Sequence, residues 1–207
     1  MTEKDSREDI LKELFNIGVG QAAGTLSDII DKKIVLNVPS VKILDIGPGR
    51  RELEKFLSQV ASGAVMVSIM SFNHQLQGVV SLIFPAEKMH RFIDLCLHEE
   101  RTETTMGFTD IDYDTIKEVG NIVLNAIIGE LSNMIRIPVT YTLPEVCVLD
   151  HARAEHFMSD YEYRLILIIM ITFDIEGTEI EGAIVVNMTL KSLEDILNAI
   201  DGVFHGR

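Results

Sequence analysis

The sequence predicts an α/β (more strictly α+β) fold: a pseudo-two-fold, duplicated unit with long helices packed on a shared, mainly antiparallel six-stranded sheet. Three observations predict it. The two halves repeat the same residues at a fixed offset, two long segments carry apolar residues at the helical period, and Ile- and Val-rich runs between turn residues read as hairpin strands.

The repeat organises the rest. Glu13, Asn16, Ile17, Leu26, Ser27, Pro39, Val41 and Leu44 recur 105 residues later as Glu118, Asn121, Ile122, Leu131, Ser132, Pro144, Val146 and Leu149. Further on, the run from Gly78 to Phe84 matches that from Gly182 to Met188 at an offset of 104. So long a period is no solenoid repeat and reads as duplication of a unit, about residues 6–100 and 110–205. One long helix and three strands make a thin half-core. No Pro- or Ser-rich linker separates the halves, and Glu99 to Thr109 is the only polar connector, so residues 1–207 are expected to form a single domain.

Each unit reads in the same order. The long helices are expected at about Ser6–Ile30 and Asp112–Ile135, the first capped by Ser6 with Asp9, the second by Asp110 or Asp112. Strands are expected at Ile34–Ile46 and Pro138–Leu149. Short charged helices or turns follow at Arg51–Gln59, after the Gly47-Pro48-Gly49 breaker, and at Asp150–Met158. Hairpins come next, Val65–Met70 with Gln77–Phe84 and Leu165–Ile175 with Ile180–Met188, the second turning at Glu176-Gly177-Thr178. Closing helices are expected at Ala86–Leu97 and Leu190–Ile200.

Charge narrows the function. With 18 Lys+Arg against 32 Asp+Glu, the formal charge of -14 repels nucleic acid and anionic membrane surfaces alike. The longest apolar run, Leu165 to Phe173, is about half the roughly 20 residues of a spanning helix, and Met1 to Asp9 is polar. The expectation is a cytoplasmic protein, with Cys96 and Cys147 reduced and in the core.

The long helices each present a polar stripe. At about 100° per residue, Asp9, Glu13, Asn16 and Gly20 share one face of the first, while Leu11, Phe15, Gly18, Ala22, Leu26 and Ile29 share the other. In the second, Asp114, Glu118, Asn121 and Asn125 oppose Ile116, Val119, Val123, Ile127, Leu131 and Met134. A lone Glu-x-x-Asn pair is ordinary on a solvated helix. Here Asp-x3-Glu-x2-Asn-x22-Pro occurs twice, a pattern with a chance of roughly one in 10⁵ per starting position. Helix-interior Gly18 and Gly20 each cost about 0.8–1.0 kcal/mol relative to Ala. Close packing accounts for Gly18 on the core side, and room for a partner is the alternative for Gly20 on the stripe.

These residues resemble the signature of the CheC/CheX/FliY-type phosphatases of chemotaxis: an acid or Ser, three residues, Glu, two residues, Asn, about 22 residues, Pro. Asp9, Glu13, Asn16 and Pro39 match it, as do Asp114, Glu118, Asn121 and Pro144. Within that family, two intact motifs in a chain of this length are similar to the CheC arrangement. The resemblance implies a hydrolase that dephosphorylates phosphorylated CheY, the response regulator. Asn16 and Asn121 would position the attacking water, as the glutamine of small GTPases does. Glu13 and Glu118 would pair with the regulator's active-site lysine, and Asp9, Gly20, Asp114 and Asn125 would line the docking face. No cofactor of its own is implied, since the Mg²⁺ belongs to the regulator. Both proteins are acidic, so the complex is expected to be transient. The resemblance also makes CheD a candidate partner through the segment 150–158. The alternative reading is a non-enzymatic adaptor of the flagellar switch or a CheD-binding module on the same fold.

Other constellations carry less. His90, Asp94 and His98 lie at i, i+4 and i+8 of one predicted helix, but no further Cys/His spacing supports a metal site. Met66, Met70, Met170 and Met188 fall on predicted strands as gap fillers.

Overall fold

The computed structural model describes residues 3–45, 55, 63–98, 107–150, 153 and 165–204. Among these, four helices lie with one mainly antiparallel sheet: α1 (Glu3–Ile30), α2 (Ala86–Leu97), α3 (Asp110–Ile135) and α4 (Leu190–Phe204). The strands are β1 (Ile34–Asn37), β2 (Val41–Asp45), β3 (Val65–His74), β4 (Gly78–Pro85), β5 (Val139–Tyr141), β6 (Glu145–Leu149), β7 (Leu165–Ile175) and β8 (Thr178–Met188). The repeated helix–strand order expected of a duplicated unit is present. Of the predicted short helix 51–59 only Lys55 is described, and of 150–158 only Asp150 and Arg153. The Gly47–Gly49 breaker lies outside the described residues, as does most of the 99–109 connector.

The sheet order is β1-β7-β8-β4-β3-β5, with β2 also on β7 and β6 also on β3. The two halves therefore interlock. The edge strands of the first half hydrogen-bond to the hairpin of the second, and those of the second to the hairpin of the first. The halves meet at β4 and β8, where Ser81 pairs with Val185, its own repeat equivalent at an offset of 104. The pseudo-dyad passes through that pair.

The expected six strands become six places filled by eight segments. Ile34–Ile46 and Pro138–Leu149 each divide in two. The register gives the reason: Asn37 faces Thr172 and Val41 faces Ile169, so residues 38–40 oppose only two residues of β7. Tyr141 faces Phe72 and Glu145 faces Ile69, so 142–144 likewise oppose two residues of β3. Pro39 and Pro144 sit in these extra turns of chain, where a proline without an N–H interrupts the ladder.

Helix limits shift slightly. Helix α1 starts at Glu3, so Ser6 lies inside it and does not cap it. Thr109, not Asp110 or Asp112, caps α3. Its hydroxyl accepts from the Asp112 N–H (3.3 Å) while the Asp112 carboxylate accepts from the Thr109 N–H (2.8 Å). Both long helices stop in the left-handed conformation, at Asp31 (φ 52) and Arg136 (φ 56). The repeated Leu-Ser explains itself beside these stops: Ser27 Oγ accepts from the Ile34 N–H at 3.0 Å, and Ser132 Oγ donates to the Ile137 carbonyl. The β7–β8 hairpin turns on two residues rather than three. Glu176 (φ 51) and Gly177 (φ 81) both take positive φ, and Thr178 already pairs with Ile175.

The helix side of the sheet holds the main core. Leu11, Phe15, Val19, Ala22 and Leu26 of α1 and Ile116, Val119, Val123, Ile127 and Leu131 of α3 are buried there against Met66, Met70, Phe84, Ile169 and Phe173. Burying each large side chain stabilises the fold by about 1.5–3 kcal/mol. The face assignment fails at one residue, where Ile29 is 59% exposed and Ile30, at 5%, takes the core position beside the helix end. The opposite sheet face is also buried, around Val67, Ile83, Ile168 and Val185. Arg7 of α1 makes a two-pronged ion pair with Asp201 of α4 (2.9 and 2.5 Å), joining residues 194 apart in sequence.

Gly18 and Gly20 have separate explanations. A Cβ on Gly18 would meet Glu130 Cγ at 2.8 Å and the Ala126 carbonyl oxygen at 3.1 Å, because α1 and α3 cross there. A Cβ on Gly20 would meet nothing within 4 Å. We expect Gly18→Val to lower stability by about 1–3 kcal/mol through overpacking. Gly20→Ala should raise it by up to about 1 kcal/mol, since only helix propensity changes. Urea midpoints of the two variants check this, and equal shifts of one sign would contradict the packing described.

Candidate functional site

The two polar stripes sit on α1 and α3, each beside the chain interruption that holds its motif proline. Their residues come together as the helical period demands. Asp9, Glu13 and Gly20 are exposed on α1, and Asn16 is half-buried between them. On α3, Asp114 and Glu118 are exposed while Asn121 and Asn125 are half-buried. Pro39 and Pro144 lie against the stripes, because the bulges carry the chain back over the helix.

The two copies differ in what holds the carboxamide. Asn16 is tied to the peptide of Val38. The Val38 N–H donates to Asn16 Oδ1 (2.9 Å), and Asn16 Nδ2 donates to the Val38 carbonyl (3.1 Å) and to the Lys12 carbonyl (2.9 Å). Val38 itself is buried, at 1% exposure. In the second copy Leu143 stands where Val38 does, and it is 74% exposed. Pro144 is buried while Pro39 is exposed. Among the described residues Asn121 makes one hydrogen bond, accepting at Oδ1 from Asn125 Nδ2 at 3.0 Å. The equivalent of Asn125 in the first copy is Gly20, which has no side chain to offer.

The surface follows these bonds. In the second copy Asp114, Lys117, Glu118, Asn121, Leu143 and Pro144 line a groove of about 330 Å³. In the first copy a depression of about 210 Å³ is lined by Asp5, Glu8, Asp9, Lys12, Pro39, Ser40 and Val41, and neither Glu13 nor Asn16 reaches it. Lys12 and Lys117, one at each depression, went unread in the sequence, although their 105-residue offset marks them as part of the repeat. Val38 and Leu143 were missed too. Their only signal was a Val-for-Leu difference before the motif proline.

Chemically, the groove presents two carboxylates, an ammonium and a carboxamide from one helix. A carboxamide donates and accepts, so it can hold a water without taking its proton. Thiol chemistry is disfavoured. Burial pushes the Cys96 thiol up to about 12, partly opposed by the Lys32 charge, and burial with the Glu145 carboxylate raises the half-buried Cys147. No group of three or more His, Cys, Asp or Glu gathers among the described residues as metal ligands. His90 instead stacks on Phe108, with ring centroids 4.2 Å apart. No described helix is long and apolar enough to cross a membrane.

The fold is shared with solved structures of two other proteins. The structure of Thermotoga maritima FliY superposes with a TM-score of 0.75 at 19% identity, covering 97% of this chain and 98% of that one. The FliM middle domain from H. pylori superposes at 0.63 with 12% identity, covering 96% and 99%. At such identities the likeness is one of fold. The sequence adds a narrower match: residues 7–43, the segment with the first motif, fit the CheC-like family. The chain is also similar to the CheY-P phosphatase CheC of Bacillus subtilis, with 26% identity over 144 residues, 69% of this chain. That match spans 66% of the relative's length.

The raised Cys96 pKa carries a pH consequence. A thiol that resists ionisation in the folded state stabilises less as pH climbs, because above about 9 the unfolded chain alone releases the proton. Stability should therefore fall between pH 9 and about 12. Cys96→Ala should flatten that part of the profile, measured by urea midpoints across the range. Native Cys96 should also resist iodoacetamide at pH 8 and react once unfolded. Rapid labelling of the native protein would contradict the burial.

Proposed function

We propose that this protein is an aspartyl-phosphate phosphatase acting on a phosphorylated CheY-type response regulator. The observation that carries the reading is the second-copy groove, in which Glu118 and Asn121 share one accessible helix face beside Lys117. Similarity to a CheY-P phosphatase supports the substrate class.

The chemistry asked of the groove is small. The phosphorylated regulator brings the acyl phosphate and its Mg²⁺, a site already arranged for phosphoryl transfer. What it lacks is a water held in line with the leaving carboxylate. The Asn121 carboxamide supplies that constraint, and Glu118 fixes register by pairing with a lysine of the regulator. A 10- to 100-fold acceleration needs only about 1.4–2.7 kcal/mol off the barrier. Asp114 and the exposed Leu143 extend the contact. Lys117 offsets part of the repulsion between two acidic proteins, and a transient complex follows from the rest.

Similarity to the FliM middle domain favours a second reading, an adaptor that docks without catalysis. One assay separates them: phosphate release from a panel of phosphorylated receiver domains, with and without this protein. We expect one or more receivers to lose phosphate about 10- to 100-fold faster. Binding with no acceleration on any receiver selects the adaptor. Glu13→Lys with Glu118→Lys should weaken binding of a receiver carrying an acyl-phosphate mimic at least about tenfold, the loss of a charge-assisted bond. Unchanged titration curves would remove the anchoring role.

A further inference from the structure

The twin motifs suggest twin sites, but the carboxamides do different things. Both N–H donors of Asn16 are consumed, one by the Val38 carbonyl and one by the Lys12 carbonyl, and its oxygen accepts the Val38 N–H. The two Val38 bonds satisfy that peptide in the bulge at residues 38–40, whereas the Ser40 carbonyl still accepts from the Met170 N–H of β7 at 2.9 Å. Buried peptide groups need such partners. Asn16 thus does for the bulge what a ladder strand would have done. Offering that amide to a second protein would break both Val38 bonds.

Asn121 is placed otherwise. Leu143 points outward, no bond joins it to Asn121 among the described residues, and Asn121 lines the groove with no hydrogen bond from its side-chain N–H donors to a described residue. Asn125, one turn on, donates to Asn121 Oδ1 and so limits rotation of the amide. The first copy lacks this support, having Gly20 at the equivalent place.

We infer that the two motif copies have divided their labour. Asn16 is a structural clamp on the Val38 peptide, and Asn121, held by Asn125 as a positioning residue, is the carboxamide presented to the phosphorylated partner. The inference rests on the phosphatase reading for its catalytic half, whereas the clamp stands on stability alone.

Three single variants test it, with melting midpoints, kcat and KM on the receiver domain that the panel identifies. Asn16→Ala should lower the midpoint by about 4–8 °C, the loss of two backbone-satisfying bonds in a chain this size. Its rate per folded molecule should stay at least about tenfold above that of Asn121→Ala, the factor a lost positioning group costs. Asn121→Ala should lose most activity and melt as the parent does. Asn125→Ala should lower kcat several-fold at unchanged KM, which a purely structural role would not do. An Asn16→Ala protein that melts like the parent overturns the clamp, and one as inactive as Asn121→Ala overturns the division. An unaltered kcat in Asn125→Ala overturns the positioning role. If the parent accelerates no receiver, the phosphatase reading fails, and the clamp is still judged by whether Asn16→Ala alone melts early.

Discussion

The pairing of β4 with β8 around Ser81 and Val185 is the constraint on which the rest of the structure depends. It sets the pseudo-dyad, and the dyad requires each half to finish the other half's sheet. The hairpin β3–β4 has no edge partner from its own half. It receives β5 and β6 from the second, and β7 receives β1 and β2 from the first. With these exchanges neither half keeps a complete core of its own. The Arg7–Asp201 pair adds a bridge between the two ends of the chain, modest in energy because both groups are partly exposed.

That arrangement also positions the candidate site. A motif helix must return to the sheet through an edge strand, and each edge strand breaks at a proline-bearing bulge that lies over the helix. The Asn16 carboxamide meets the bulge at Val38, 22 residues further along the chain. The motif thus joins a helix face to a bulge, where the Val38 peptide is bonded by a side chain in place of a strand. Such a place admits two solutions. The side chain can satisfy the backbone, as Asn16 does, or the loop can turn outward and leave the side chain unbonded to it, as at Asn121. Duplication allowed one chain to carry both.

Much of this was legible beforehand. The 105-residue offset located the repeat, the helical period assigned Leu11, Phe15, Ile127 and Leu131 to the core, and Asp9, Glu13, Asp114 and Glu118 to the outer face, all as found. Boundaries were less legible. Ser6 looked like a cap because Asp9 follows at the right spacing, but a cap exists only where the backbone leaves the helix, and α1 continues to Glu3. Ile29 looked buried because periodicity takes no account of where the helix stops; at its last turn the chain turns away and Ile30 packs in its place.

The sequence by itself determined the duplicated α+β fold, the two apolar helix faces and the outward acids, because each follows from local period and composition. Only the tertiary structure decided which carboxamide is tied to its bulge. That choice turns on hydrogen bonds between a helix side chain and a peptide 22 residues away, and on whether Val38 or Leu143 goes inward. No helical or strand period encodes a contact made across a bulge, so two copies with the same spacing could reach opposite outcomes.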